Sequence, residues 1–299
     1  MAGRTATVLG QFEAIGLYPS VDAPEFEVAG TPQHGGGIGA SSIGFSTIPS
    51  GVIYYTIDGV DPRAEVAGAV SGSAQSYSTP FLIPTSKLVK ARVLDGGTWS
   101  ALTEAVFLPG TVADGTTLVV SEIHYQPLPP TGTGELSVAT QRGDFEYVEL
   151  MNISSDSIDL GLMILDSAVD FTFPFGTSLA PGGRIVLASN TGAFTERYGF
   201  APFGEFSGNL NDGGELVTVL ESNGVTTIQS FTYGDDFPWP ESADGDGYSL
   251  VLIAPETNPA HDDPINWRSS VAIGGTPGWA DAVEFSGDPN ADDNNNGVS

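Results

Sequence analysis

At 299 residues the chain is long enough for about two domains of ordinary size. Nine Lys and Arg against 37 Asp and Glu give a formal charge of −28, which excludes a basic phosphate-binding face and argues against attraction to anionic lipid. Cysteine is absent, so disulfide and thiol chemistry are excluded, and no run of about 20 apolar residues offers a membrane helix.

The 16 Phe and an apolar fraction of 40% suffice for two cores, so the acidity does not signal disorder. It reads as a solubility device or as the mark of a cation-rich environment. Val, Ile, Thr, Tyr and Phe recur in short blocks between Gly, Pro, Asn and Asp, which predicts an all-β chain. Met1–Arg4 has no apolar stretch behind it, and Gly287–Ser299 is a polar run. Both ends read as cuts within a longer chain, with residues 1–19 a junction from a preceding domain.

Charge divides the chain. Residues 1–110 carry a net −4 and residues 111–299 a net −24. A polar linker is expected at 111–116, a β-sandwich at 20–110, a second at 117–280 and an acidic flexible tail at 281–299. In the first half, residues 51–57, 81–83, 87–94 and 104–108 read as strands, with turns at Asp58-Gly59, Asp61-Pro62 and Asp95-Gly-Gly97. Alternation in 87–94 buries Val89, Ala91 and Val93. The glycine-rich stretch Gln33–Gly39 reads as a mobile loop, without the Lys and Ser/Thr that a phosphate-binding loop needs.

In the second half, strands are expected at 117–125, 145–150, 158–160, 171–173, 184–188, 215–220, 227–233 and 248–253, with a loop at 126–142. One short helix is expected at 191–199, capped by Thr191 and ended by Gly199. Alternation in 145–150 sets Phe145, Tyr147 and Glu149 on one face, so a carboxylate must sit among apolar residues or at the end of the sheet.

Several groups could carry chemistry. Asp235, Asp236, Asp244 and Asp246 flank Phe237-Pro-Trp-Pro240; mutually repelling carboxylates beside Gly245 and Gly247 suit Ca²⁺, and solvated turn residues are the alternative. Asp292, Asn294 and Asn296 stand at alternate positions before Gly297, again as for Ca²⁺, although the chain ends before a twelfth-position carboxylate. Glu122, Glu146 and Glu149 could pair as in a glycosidase, bind a metal, or accept structural hydrogen bonds, the last being favoured. His34, His124 and His261 have no metal-site spacing, and no G-x-S-x-G elbow supports a serine hydrolase. Trp99 and Trp267 read as core, whereas Trp239 and Trp279 are candidates to stack on a glycan.

Two family resemblances follow from these blocks. Ile53-Tyr-Tyr-Thr-Ile-Asp-Gly-Val-Asp-Pro-Arg63, Tyr77, Pro80-Phe-Leu-Ile83, Val89-Lys-Ala-Arg-Val93 and Trp99 resemble the chitobiase/β-hexosaminidase C-terminal-type domain over about 20–108. Ser121–Tyr125, Glu146–Leu150 with Asn152, Asp159-Leu160, Leu179–Gly182, Gly208–Gly213, Trp239-Pro240, Asn266-Trp267 and Gly275–Gly278 resemble a bacterial lamin tail domain over about 117–280. The tail resembles the start of a thrombospondin type 3 calcium repeat. These resemblances imply two immunoglobulin-like β-sandwich domains in tandem, secreted or at a bacterial cell surface, with no catalytic residues to carry over. The expected role is a noncatalytic accessory region that spaces or attaches other domains of the same longer chain. Ca²⁺ is a possible stabiliser, extracellular glycan or protein a possible partner, and neither nucleic acid binding nor membrane insertion is expected. A carbohydrate-binding module and a hydrolase acting on an extracellular polymer are the alternatives.

Overall fold

The computed structural model describes residues 8–281 apart from 9, 13, 47–49 and 67. The tail positions Asp292, Asn294 and Asn296 lie outside the described residues. The chain forms two compact units: one runs to Val112 and includes Phe175–Thr177, the other comprises Ala113–Pro174 and Ser178 onward. Each is built from strands around its own apolar core, so the chain is all-β with two immunoglobulin-like sandwiches in tandem. No helix of the described residues is long and apolar enough to cross a membrane.

The first unit contains β1 (Phe26–Val28), β2 (Thr31–Pro32), β3 (Gly36–Gly39), β4 (Ile43–Phe45), β5 (Val52–Thr56), β6 (Gln75–Ser76), β7 (Lys87–Asp95), β8 (Thr98–Trp99), β9 (Thr103–Pro109) and β10 (Thr111–Val112). One sheet has the order β2-β1-β4; the other runs β3-β9-β7-β5-β6, with β8 folded back on β7. The alternation expected of β7 holds: Val89, Ala91 and Val93 are buried and join Phe26, Ile43, Phe45, Ile53, Tyr55 and Phe107 in the core. Gly36–Gly39 is not the mobile loop its composition suggests. It pairs parallel to β9, and its one side chain, Ile38, is buried in the core. Gly35 approaches that strand so closely that a Cβ would stand 2.6 Å from the Val106 carbonyl oxygen, a gap only glycine tolerates.

The Asp58–Arg63 turn is a clamp. Asp58 Oδ1 accepts from the Val60 N–H at 3.0 Å, and both oxygens of Asp61 accept from Arg92, from Nε and Nη2, each at 2.8 Å. Arg92 Nη1 also donates to the Ser100 carbonyl. The hydrogen bonds from Arg92 hold the Asp61 carboxyl below its usual range.

The second unit contains β11 (Leu118–His124), helix α1 (Gly132–Val138), β12 (Tyr147–Asn152), β13 (Ile158–Asp159), β14 (Ile164–Ser167), β15 (Val169–Thr172), β16 (Ser178–Leu179), β17 (Arg184–Ala188), helix α2 (Thr191–Tyr198), β18 (Gly204–Glu205), β19 (Ser207–Gly208), β20 (Leu216–Leu220), β21 (Thr227–Thr232), β22 (Leu250–Leu252) and β23 (Trp267–Ser269). The two main sheets run β18-β17-β12-β11-β22-β23 and β19-β15-β14-β20-β21. Val120, Val148, Leu150 and Leu187 of the first meet Leu165, Val217, Val219 and Phe231 of the second in the core. The other face of β12 and β17 is covered by α2, where Phe194 packs on Tyr147, Val186 and Ala188. β11, between β12 and β22 in the sheet, is buried at all seven positions.

Three local expectations change. The loop at 126–142 contains α1, and Phe145 belongs to a 3₁₀ turn, Arg142–Phe145, rather than to β12. Helix α2 is capped by Asn190, whose Oδ1 accepts from the Ala193 N–H, because Asn190 has the extended backbone a cap requires and Thr191 is already helical. Gly199 closes it as expected.

Candidate functional site

The most unusual chemistry of the second unit lies on its central strand pair. β11 and β12 place Glu122 directly opposite Glu149, and both side chains are buried. Glu122 Oε1 accepts from the Tyr147 hydroxyl, the Ser249 hydroxyl and, at 2.9 Å, the Thr276 N–H. Glu149 Oε1 accepts from the Ser121 hydroxyl and from Arg184, and Oε2 accepts from the Gly278 N–H at 2.7 Å. Burial, then the charge of Glu149, pushes the Glu122 carboxyl up to about 7. Burial also raises that of Glu149, offset by Arg184 and the Ser121 and Gly278 donors.

The two carboxylates fasten the Gly275–Gly278 strap to the sheet. A Cβ on Gly275 would stand 1.9 Å from the Tyr147 hydroxyl and 2.4 Å from Glu122 Oε1, so the strap lies in contact with the pair. Glycoside hydrolysis needs a sugar between two carboxyls. Here the donors Tyr147, Ser249, Thr276, Ser121, Arg184 and Gly278 occupy that role, and the arrangement is a structural latch.

Glu146, the third carboxylate of the sequence cluster, is separated from the pair by the strand pleat. It borders a cavity of about 590 Å³ with Gln141–Gly143 and the Asn209–Asp212 loop. Its Oε2 accepts from the Leu210 N–H, and burial pushes its carboxyl up to about 8. Arg142 is ion-paired with Asp212 in the same lining. A second cavity, about 300 Å³, is lined by Leu128, Pro129, Thr131, Glu135, Arg197, Tyr198, Gly247 and Ile273–Gly275. Arg197 is committed there to Glu135 and to the carbonyls of Leu128 and Pro129.

His124 and His261 are buried, whereas His34 is exposed. His261 Nε2 accepts from the Val120 N–H, a donor freed by the β-bulge between Val120 and Glu122, and its ring lies against Phe231 and Trp267. His124 packs on Tyr147 with Nδ1 at 3.4 Å from the Tyr198 hydroxyl. Burial depresses both, to about 4 for His261 and about 3 for His124. The sequence placed His261 in no site; only the register shift of β11 shows what it does.

Asp235 is half-buried, and Asp236, Asp244 and Asp246 are exposed. Among the described residues no three His, Cys, Asp or Glu side chains stand close enough to hold a metal ion by themselves. Trp239 is half-buried, with its ring 6.1 Å from Trp267, and Trp279 is 72% exposed. Trp99 and Trp267 are buried; Trp99 Nε1 donates to the Gly68 carbonyl and Trp267 Nε1 to that of His261.

Residues 111–235 match the Lamin Tail Domain family model, and residues 43–106 match the model named Fn3 associated. The lamin tail match ends at Asp235, the first carboxylate of the acidic loop, short of β22, β23 and the strap. No curated protein matches the chain. A crystal structure of a DUF4876 family protein from Bacteroides thetaiotaomicron aligns at 11% identity with a TM-score of 0.36, covering 78% of this chain and 96% of that one. A likeness at that level carries no functional argument.

Proposed function

We propose that the chain is a noncatalytic accessory region that spaces or attaches another domain of a longer secreted or cell-surface bacterial protein. Its partners would be the flanking domains of that protein. The observation that carries this reading is the fate of the buried carboxylates: Glu122 and Glu149, the residues best placed for acid–base work, are saturated by protein donors and serve to hold the strap. The accessory domain types matched by both halves agree with it. Within that reading the first unit acts in the manner of a chitobiase C-terminal-type module.

The test is a panel of nuclease, phosphatase and glycosidase substrates offered to the full chain and to Glu146→Gln. No turnover above buffer is expected from either. Turnover that Glu146→Gln abolishes would replace the accessory role with a hydrolase centred on the larger cavity. A second reading, a carbohydrate-binding module, is favoured by one observation, the exposed indole of Trp279. Retention on insoluble chitin or cellulose that is lost in Trp279→Ala would select it.

A further inference from the structure

The second unit has only four basic residues, and each is committed: Arg142 to Asp212, Arg184 to Glu149, Arg197 to Glu135 and Arg268 to Asp281. None is left for the loop after β21, which carries Asp235, Asp236, Glu241, Asp244 and Asp246. By itself this would be a solvated acidic loop.

Two buried atoms behind the loop distinguish it. The Tyr125 hydroxyl has no hydrogen-bond partner, although the residue is 1% exposed. The charges acting on it are those of Asp244, Asp235 and Asp212, which join burial in raising its pKa. The next residue, Gln126, is 8% exposed, and its amide oxygen also lacks a partner. That oxygen lies over Gly245: a Cβ built there would stand 2.9 Å from it. Buried polar atoms are almost always satisfied by protein, ordered water or an ion. Of these two atoms, on consecutive residues just after β11, the Gln126 amide oxygen lies directly against the acidic turn.

We infer that the Asp244–Gly245–Asp246 turn binds a divalent cation of the Ca²⁺ type that takes the Gln126 amide oxygen as a ligand. The Tyr125 hydroxyl then donates to a liganding carboxylate. The donor set is all oxygen, which suits a hard cation, and a mixed set of carboxylate, amide, main-chain carbonyl and water is within the six to eight ligands that Ca²⁺ accepts. Such a set needs no third carboxylate at the ion, consistent with the absence of a three-carboxylate group among the described residues. Zn²⁺ would want nitrogen or sulfur; cysteine is absent, His261 Nε2 already accepts from the Val120 N–H, and the one buried unpartnered histidine nitrogen among the described residues, His124 Nε2, is too few donors for a zinc site. The ion would offset two of the loop's five negative charges and tie the turn to the chain just after β11, whether or not the chain acts as a spacer.

The experiment uses the full chain and Tb³⁺ as a luminescent probe, with Tyr125 and Trp239 as nearby sensitisers. Tb³⁺ should give a saturable signal displaced by Ca²⁺, and Ca²⁺ should raise the unfolding midpoint of the second unit by several degrees. Gln126→Leu and Asp244→Asn should each weaken Ca²⁺ about tenfold or more, as expected for loss of a direct ligand. Both variants should unfold in EDTA close to the parent, which separates lost binding from lost folding. Asp292→Asn, in the tail, should leave the affinity unchanged. Absence of a Ca²⁺-displaceable signal, equal affinity in Asp244→Asn, or loss of the signal in Asp292→Asn alone would each overturn the assignment.

Discussion

The two sandwiches bury different things. The first unit's core is aliphatic and aromatic, with Phe26, Phe45, Tyr55 and Phe107 near its centre, and its strongest ion pair, Arg92–Asp61, stands at the rim with Asp61 a third exposed. The second encloses Glu122, Glu149, His124 and His261. Layers of sheet can therefore be sealed by side-chain packing alone, or by a polar latch whose members must all be satisfied. The second solution makes stability depend on protonation and on a strap from another part of the chain. The lesson is that the unit with the ionisable interior is the sensitive one, and calorimetry resolving the two unfolding transitions can break or sharpen that contrast.

The largest effect is expected for Glu149→Ala. It leaves the Arg184 guanidinium, only 14% exposed, without its partner and frees the Gly278 N–H. Breaking a buried pair in this way costs about 3–5 kcal/mol. The second transition should fall and the first should stay; equal movement of both would refute the separation of the cores.

The pH dependence comes next. The folded-state pKa values of His124 and His261 lie below the ordinary 6.5, so the unfolded chain takes their protons first, and this stability is lost as pH falls below 6.5. Those of Glu122, about 7, and Glu146, about 8, lie above the ordinary 4.5, so their contribution is full below 4.5 and is lost as pH rises through 7 and 8. Between 4.5 and 6.5 the two effects oppose and nearly cancel. The second unit should show a plateau there, weakening by about 2–4 kcal/mol towards pH 9. The first unit, with Asp58 and Asp61 lowered, should be flat from pH 5 upward. Denaturant midpoints across pH 4–9 provide the check, and a second unit as flat as the first would contradict the buried latch.

Gly275→Ala should cost the second unit about 2–3 kcal/mol, since its Cβ would collide with Tyr147 and Glu122 and its φ of +78° is strained for alanine. The strap should then become accessible to protease. A fully protected strap in that variant would show that the carboxylate pair does not hold it. The smallest effect is expected in the first unit: Asp61→Asn weakens the bidentate clamp on a partly exposed arginine and should cost about 1 kcal/mol, confined to the first transition.

Much of this was legible in the residues. The alternation of 87–94, the block Ser121–Tyr125, the Asp58–Arg63 turn and the helix before Gly199 all read correctly, because each depends on a period or on turn chemistry within a few residues. The phase of 145–150 announced a carboxylate on an apolar face. It did not identify Ser121, Arg184 and Gly278 as its company, since the donors are 28 to 129 positions away along the chain. The glycines at 36–39 misled because a backbone ladder needs no side chains to announce it.

By itself, then, the sequence determined strand period, turn positions, the all-β class and the uneven charge of the halves, all set by local sterics and composition. Tertiary structure alone decided which carboxylates became a latch, which histidine filled a bulge, and which buried amide oxygen, that of Gln126, was left facing an acidic turn. Those outcomes depend on register between distant strands, where one residue of slip reverses every side chain and no short window of sequence specifies the partner.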